Sequence, residues 1–276
     1  MIGISLHSGG MVDKPLPWVI RHIAAIGYDA IEIVAGPNPL QGHIHTATIS
    51  DRELKDVRTA LDEHGLAAAA INPYGVQSLG NMSADEAIPF YRKLIDIAVT
   101  LGAPTVNFLP GRLPDGDASA WRKLITTLKP LLHYAGEHDV CMTIHNHENH
   151  TLDTPDKVRL MIELVGLPNL KALCDITNFW ILGSDIPAAV ERLKDHLLHC
   201  HVKGVVGKFP FNSFLIPGEE GDQLPFDEFV QALGAIGYER HISVEVFSFM
   251  RDEKTRIAYD MMAESLARHA LREPRA

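Results

Sequence analysis

The sequence predicts an α/β fold, a single (β/α)₈ TIM barrel over residues 1–276, and three observations carry that expectation. Eight short apolar runs alternate with amphipathic stretches along the 276-residue chain, a length that α/β barrels often reach as one domain. The first run leads into His7-Ser8-Gly9-Gly10-Met11, which fits neither the dinucleotide nor the P-loop pattern expected there of an open doubly wound sheet. Polar, titratable residues stand at the ends of the runs, where a barrel gathers its active site.

The runs are residues 2–7 (IGISLH), 30–34 (AIEIV), 66–72 (LAAAAIN), 104–109 (PTVNFL), 140–145 (VCMTIH), 170–175 (LKALCD), 197–203 (LLHCHVK) and 241–247 (HISVEVF). Each is short, largely apolar and bounded by turn or helix signals, as a strand buried on both faces should be. Between them the period changes. Asp85 and Glu86 open a stretch carrying Ile88, Tyr91, Leu94, Ile95, Ala98 and Val99, and Gly102 closes it. Acidic residues suit a helix N-terminus and glycine suits its C-terminal cap. Residues 121–135 repeat the pattern through Leu124, Ile125, Leu128, Leu131 and Leu132, and Thr154-Pro155 is a good N-cap and N1 pair for another helix. Ile26-Gly27-Tyr28 precedes the second run as Ile236-Gly237-Tyr238 precedes the eighth, an echo expected of repeated β/α units. No linker, low-complexity tract or charge block divides the chain.

The formal net charge of −10 argues against nucleic-acid binding, whose non-specific affinity comes from clustered lysine and arginine. Cys141, Cys174 and Cys200 each lie in an apolar run; an odd, sparse set reads as buried thiols in a reducing compartment. No segment approaches the roughly 20 apolar residues of a membrane helix, and the first residues lack a signal-peptide pattern. The expectation is a cytoplasmic protein.

The run ends present His7, Glu32, Asn72, Asn107, residues 145–148, Asp175, His201, Lys203 and Glu245. Strand side chains alternate. If Asp175, His201 and Glu245 face the barrel interior, Cys174, Cys200 and Val244 face the helices. Two carboxylates and an imidazole in one pocket are stabilised by a divalent cation with oxygen and nitrogen ligands: manganese first, with magnesium, zinc or cobalt as alternatives. The fifth run, Ile144-His145-Asn146-His147-Glu148-Asn149-His150, leaves one choice open, because alternation puts His145 and Glu148 on opposite faces. Glu148 is the favoured ligand and His145 the nearby proton carrier. Lys203 shares the parity of His201 and should point inward, toward substrate; His7, Asn72 and Asn107 are further substrate-binding candidates. The stretch 204–223, with Phe209, Phe211, Phe214 and Pro217, reads equally as a lid or as an interface of a homo-oligomer.

The order of motifs resembles the xylose-isomerase-like barrel superfamily of sugar phosphate isomerases and epimerases. The resemblance rests on residues 27–32 (GYDAIE), His145-Asn146-His147-Glu148, Asp175, His201-Val202-Lys203, Pro217-Gly218-Glu219-Glu220-Gly221, Gly237-Tyr238 and Glu245, and covers almost the whole chain. It implies one metal ion held by Glu148, Asp175, His201 and Glu245. It also implies proton transfer beside the carbonyl of a keto-sugar or small polyol through a metal-stabilised enediolate, with Glu148, Glu245 and His145 as the catalytic groups. Two positions depart from the pattern: Asn178 stands where many relatives carry a histidine, and Gly204 where many carry an aspartate. The first, with the acidic charge, argues against an abasic-site nuclease. The alternatives are a metal-dependent dehydratase or lyase, of the inosose dehydratase or keto-glycoside β-elimination kind, and a non-catalytic sugar-binding barrel.

Overall fold

The structure, a computed structural model, describes residues 1–38, 42–74, 77–113, 118–245 and 252–273. Eight parallel strands form the barrel: β1 (Gly3–His7), β2 (Ala30–Gly36), β3 (Ala67–Pro73), β4 (Thr105–Phe108), β5 (Cys141–His145), β6 (Leu170–Asp175), β7 (Leu197–Val202) and β8 (His241–Val244). Each pairs with its neighbours, and β1 pairs with both β2 and β8, which closes the cylinder. The predicted runs match these strands to within one or two residues at each end. Val246 and Phe247, at the end of the eighth run, lie outside the described residues.

The helices are α1 (Leu16–Ile26), α2 (Asp51–Glu63), α3 (Ala84–Leu101), α4 (Ala118–Glu137) and α5 (Pro155–Val165), then α6 (Ile176–Ile181), α7 (Ile186–Leu193), α8 (Phe226–Ala235) and α9 (Asp252–Arg268). Their ends follow from local chemistry. Ser83 and Glu86 form a capping box at the start of α3, and Gly102 ends it with φ 71°, a left-handed conformation that glycine adopts without strain. Thr154 caps α5 ahead of Pro155, its side chain accepting from Lys157 N. The unit after β6 differs from expectation. It carries two helices, because Asp175 ends the strand and caps α6 at once, accepting from Asn178 N at 3.1 Å.

Alternation along the strands divides the molecule into two interiors. Ile4, Leu6, Ile31, Ile33, Val106 and Phe108, with Met142, Ile144, Cys174, Cys200, Val202, Ile242 and Val244, join the apolar core shared with the helices. Their neighbours Ser5, His7, Glu32, Thr105, Asn107, Thr143, His145, Asp175, His199, His201, Ser243 and Glu245 are buried polar groups, most of which bond to one another across the axis. Barrel interiors are usually filled by valine, isoleucine and leucine; this lumen is polar. Register shifts on β3 opposite Ile31/Glu32 and on β7 opposite Ala172/Leu173 re-aim side chains here, as bulges near functional sites do. Among the described residues no helix is long and apolar enough to cross a membrane.

Candidate metal centre

Glu32 is fully buried in the lumen. Its Oε1 accepts from Asn72 Nδ2 at 2.8 Å and Asn107 Nδ2 at 2.7 Å, and its Oε2 lies 2.7 Å from both His199 Nε2 and His201 Nε2. Burial opposes ionisation, yet the two histidines hold this carboxyl well below the usual carboxylate range. With Glu32 ionised, both Nε2 atoms act as donors. Asn72 and Asn107, expected to face substrate, thus each direct an amide N–H at Glu32.

Above Glu32, His201 turns its Nδ1 toward Glu245 Oε2 at 3.2 Å. Asp175 Oδ2 lies 3.3 Å from His145 Nε2, and Glu245 Oε2 lies 3.9 Å from the same nitrogen. One donor atom from each of His145, Asp175, His201 and Glu245 lies within 4.8 Å of all the others, and all four residues are buried. The fully buried Lys203 ammonium contacts Asp175 Oδ2 and lies 2.8 Å from Glu245 Oε2. The Phe214 ring, from a hairpin formed by Gly204–Val206 and Ser213–Leu215, stands with its centroid 5.2 Å from that ammonium. One aromatic of the 204–223 stretch therefore covers the site, while Phe211 is 90% exposed.

Burial dominates the electrostatics and is overcome only where opposite charges meet. It lowers His145 to about 4 despite Asp175 and Glu245, leaving the ring neutral. It would lower His201 too, but Glu32 and Glu245 raise that imidazole to about 10. Burial would raise Glu245, whereas Lys203 and His201 hold it well below its ordinary range. Lys203 is likewise raised, since Asp175 and Glu245 outweigh its burial.

Of the four residues expected to meet, the structure brings Asp175, His201 and Glu245 together, and the fourth member of the group is His145. Glu148 lies apart from them. The strand ends at His145, and the chain turns through His147 and Glu148 to Asn149 at φ 64°, so alternation no longer governs where Glu148 points. Its Oε2 lies 2.9 Å from His147 Nδ1, half-buried at the mouth. This contact lowers Glu148 and raises His147, against burial in each case.

Sequence reasoning passed over His199, although His199 and His201 share one strand face at a spacing of two. It also missed the supporting amides. Asn146 accepts from Asp175 N and donates to Asp175 O, and Asn178 Nδ2 donates to Asp175 Oδ2 at 2.9 Å and to Asn146 O at 3.0 Å. Asn178 thereby braces the aspartate. His7 accepts from Gly9 N through Nδ1, so its buried Nε2 carries the proton; it has no hydrogen-bond partner among the described residues and lies 3.9 Å from Glu32 Oε1.

The donor set suits a divalent cation. Two carboxylate oxygens and two imidazole nitrogens converge in a buried pocket, a mixture that manganese, zinc and cobalt accept. The second carboxylate–histidine group, Glu32 with His199 and His201, suits one less well, because it offers a single carboxylate and shares His201 with the first group.

Comparison with known proteins agrees with this architecture. The chain is 28% identical over 251 residues to the putative hydroxypyruvate isomerase of Homo sapiens, covering 83% of each protein. It is 22% identical over 247 residues to the D-psicose 3-epimerase of Ruminiclostridium cellulolyticum, covering 83% of this chain and 78% of that one. Among solved structures, the IOLI protein with a bound zinc atom superposes with a TM-score of 0.81 at 18% identity, over 97% of this chain and 99% of that one. An L-ribulose 3-epimerase superposes at 0.79 and 17% identity, over 98% and 96%. At these identities the structural likeness speaks for the fold alone. A family model described as xylose isomerase-like TIM barrel matches residues 20–265, and with that match the chain belongs to the xylose isomerase-like TIM barrel family.

Proposed function

We propose that this protein is a divalent-cation-dependent isomerase or epimerase of a keto-sugar or related small polyol. The observation that carries the reading is the convergence of His145, Asp175, His201 and Glu245 at the mouth of a polar barrel. The curated relatives, one named as a putative hydroxypyruvate isomerase and one as a D-psicose 3-epimerase, support the reaction class.

The roles of the fifth strand are exchanged relative to the sequence expectation. His145, kept neutral by burial, suits a ligand better than a proton carrier. Glu148 at the half-buried mouth is held ionised by His147, and His147 is raised from the ordinary imidazole value, so the proton of this pair sits on the group that titrates near working pH and suits proton transfer. A divalent cation bound by the four groups, manganese being our first choice, would supply Lewis-acid polarisation of a substrate carbonyl.

The chain does the rest. Glu245, ionised and buried, takes a proton from the carbon beside the carbonyl. The Glu148–His147 pair returns one. Lys203 holds Glu245 and Asp175 in place and presents positive charge where negative charge develops on substrate oxygen. His7 offers its unpartnered Nε2–H to a substrate hydroxyl. Phe214 limits water above the site.

The test combines metal analysis of purified protein with incubation of keto-sugars in D₂O after manganese addition. Deuterium should enter at the carbon next to the carbonyl, and Glu245→Gln should abolish that exchange. A metal-loaded protein that exchanges no proton of any keto-sugar or polyol would be a binder.

A further inference from the structure

His201 stands between two carboxylates. Its Nδ1 faces Glu245 at 3.2 Å, and its Nε2 faces Glu32 at 2.7 Å. A ring that reaches the candidate centre through one nitrogen must have the other nitrogen occupied, because an imidazole free to flip offers either atom and either tautomer. Glu32 is built for that task. Asn72 and Asn107 occupy its Oε1 from two strands, which fixes the carboxylate plane and leaves Oε2 aimed at His201 and His199. His199 is itself held by Ser243 Oγ at 3.1 Å. The four donors come from β3, β4 and β7, so Glu32 cannot shift without moving three strands.

We infer that Glu32 is a positioning residue for the metal centre: it clamps His201 in the Nε2–H tautomer with Nδ1 turned to the cation, and Asn72 and Asn107 set the clamp. The inference rests on the functional reading above. Its physical basis is general, since outer partners that orient a ligating histidine change metal affinity by about 10–100-fold. A merely structural Glu32 would support the lumen without selecting which nitrogen of His201 meets the metal.

The direct test is ¹⁵N-histidine NMR of the zinc-loaded protein, in which Nδ1 and Nε2 are told apart by their couplings to ring protons. The expected spectrum has His201 protonated at Nε2 and zinc-bound at Nδ1. Zinc bound through Nε2 would overturn the inference and leave the metal reading standing, whereas a wild-type protein that takes up no zinc or manganese would overturn both.

Glu32→Gln provides the affinity test. We expect about 10–100-fold weaker zinc binding by calorimetry and shifted visible bands in the cobalt-loaded form. A folded Glu32→Gln protein with unchanged affinity and unchanged cobalt bands would refute the clamp. If that variant does not fold, Asn72→Ala and Asn107→Ala take its place, each expected to weaken zinc binding several-fold and to move the cobalt bands. Wild-type values in both would refute it equally.

Discussion

Two carboxylate sites lie one above the other in the same lumen, and they solve the problem of buried charge differently. Around Glu32 there is one carboxylate and a set of directed N–H groups, two of them from neutral amides. At the mouth, Asp175 and Glu245 share one ammonium and the imidazoles of His145 and His201. The lower site is saturated with hydrogen bonds, and a polar network of that kind rigidifies its surroundings. The upper site balances charge against charge. A divalent cation can take over there as counter-ion to the carboxylates.

The contrast can be broken most sharply at Glu245. Glu245→Gln should lower turnover by about 10²–10⁴-fold, the usual contribution of a general acid–base group, while far-ultraviolet circular dichroism stays unchanged. Lys203→Met comes next. Removing one partner of a buried ion pair costs about 3–5 kcal/mol, so the metal-free variant should melt well below wild type. Manganese or zinc should restore most of that loss, as a replacement counter-ion would. At the lower site the same experiment should fail. Asn107→Ala removes a donor to Glu32 at a cost of about 1–3 kcal/mol, and added metal should not rescue it beyond the stabilisation it gives wild type. Equal rescue in both variants would erase the distinction.

A pH titration reads a gentler effect at the opposite end of the last strand. His241, at the start of β8, is lowered to about 4 by burial and then by His199, below the ordinary value of about 6.5. The fold prefers the neutral ring, so this contribution is present above pH ~6.5 and is lost as pH falls toward about 4. His241→Asn should flatten that part of the stability curve, measured by urea denaturation of metal-free protein. The smallest effect is expected at Ser83→Ala, remote from both sites, which removes a helix cap and should cost about 1 kcal/mol without altering metal affinity.

The barrel was legible because each strand is buried on both faces and each helix declares its ends. The 170–175 run and β6 coincide residue for residue, and alternation made the inward facing of Asp175, His201 and Glu245 consistent with apolar neighbours turned to the helices. Where alternation stops, so did the reading. Glu148 sits beyond the end of β5, in a turn whose geometry depends on Asn149 at φ 64° and on contacts no local pattern encodes. The α6–α7 division was hidden for a related reason: one aspartate serves as strand end, cap and site residue. Asn72 and Asn107 were recognised as inward-facing, but not as partners of Glu32, because hydrogen bonds across a barrel join residues 40 and 75 positions apart.

The polar lumen also has a bearing on how such a chain can diversify. Because lumen and outer-shell residues alternate along every strand, exchanging one of the former leaves helix packing against the sheet untouched, and an apolar shell can persist while the groups inside it change. Yet these inner groups are bonded to one another in fours and fives, so a solitary exchange strands its neighbours. New chemistry in this scaffold therefore calls for concerted replacement of a whole constellation, and an exchange of His145 at the end of strand five would have to travel with altered companions on the adjoining strands.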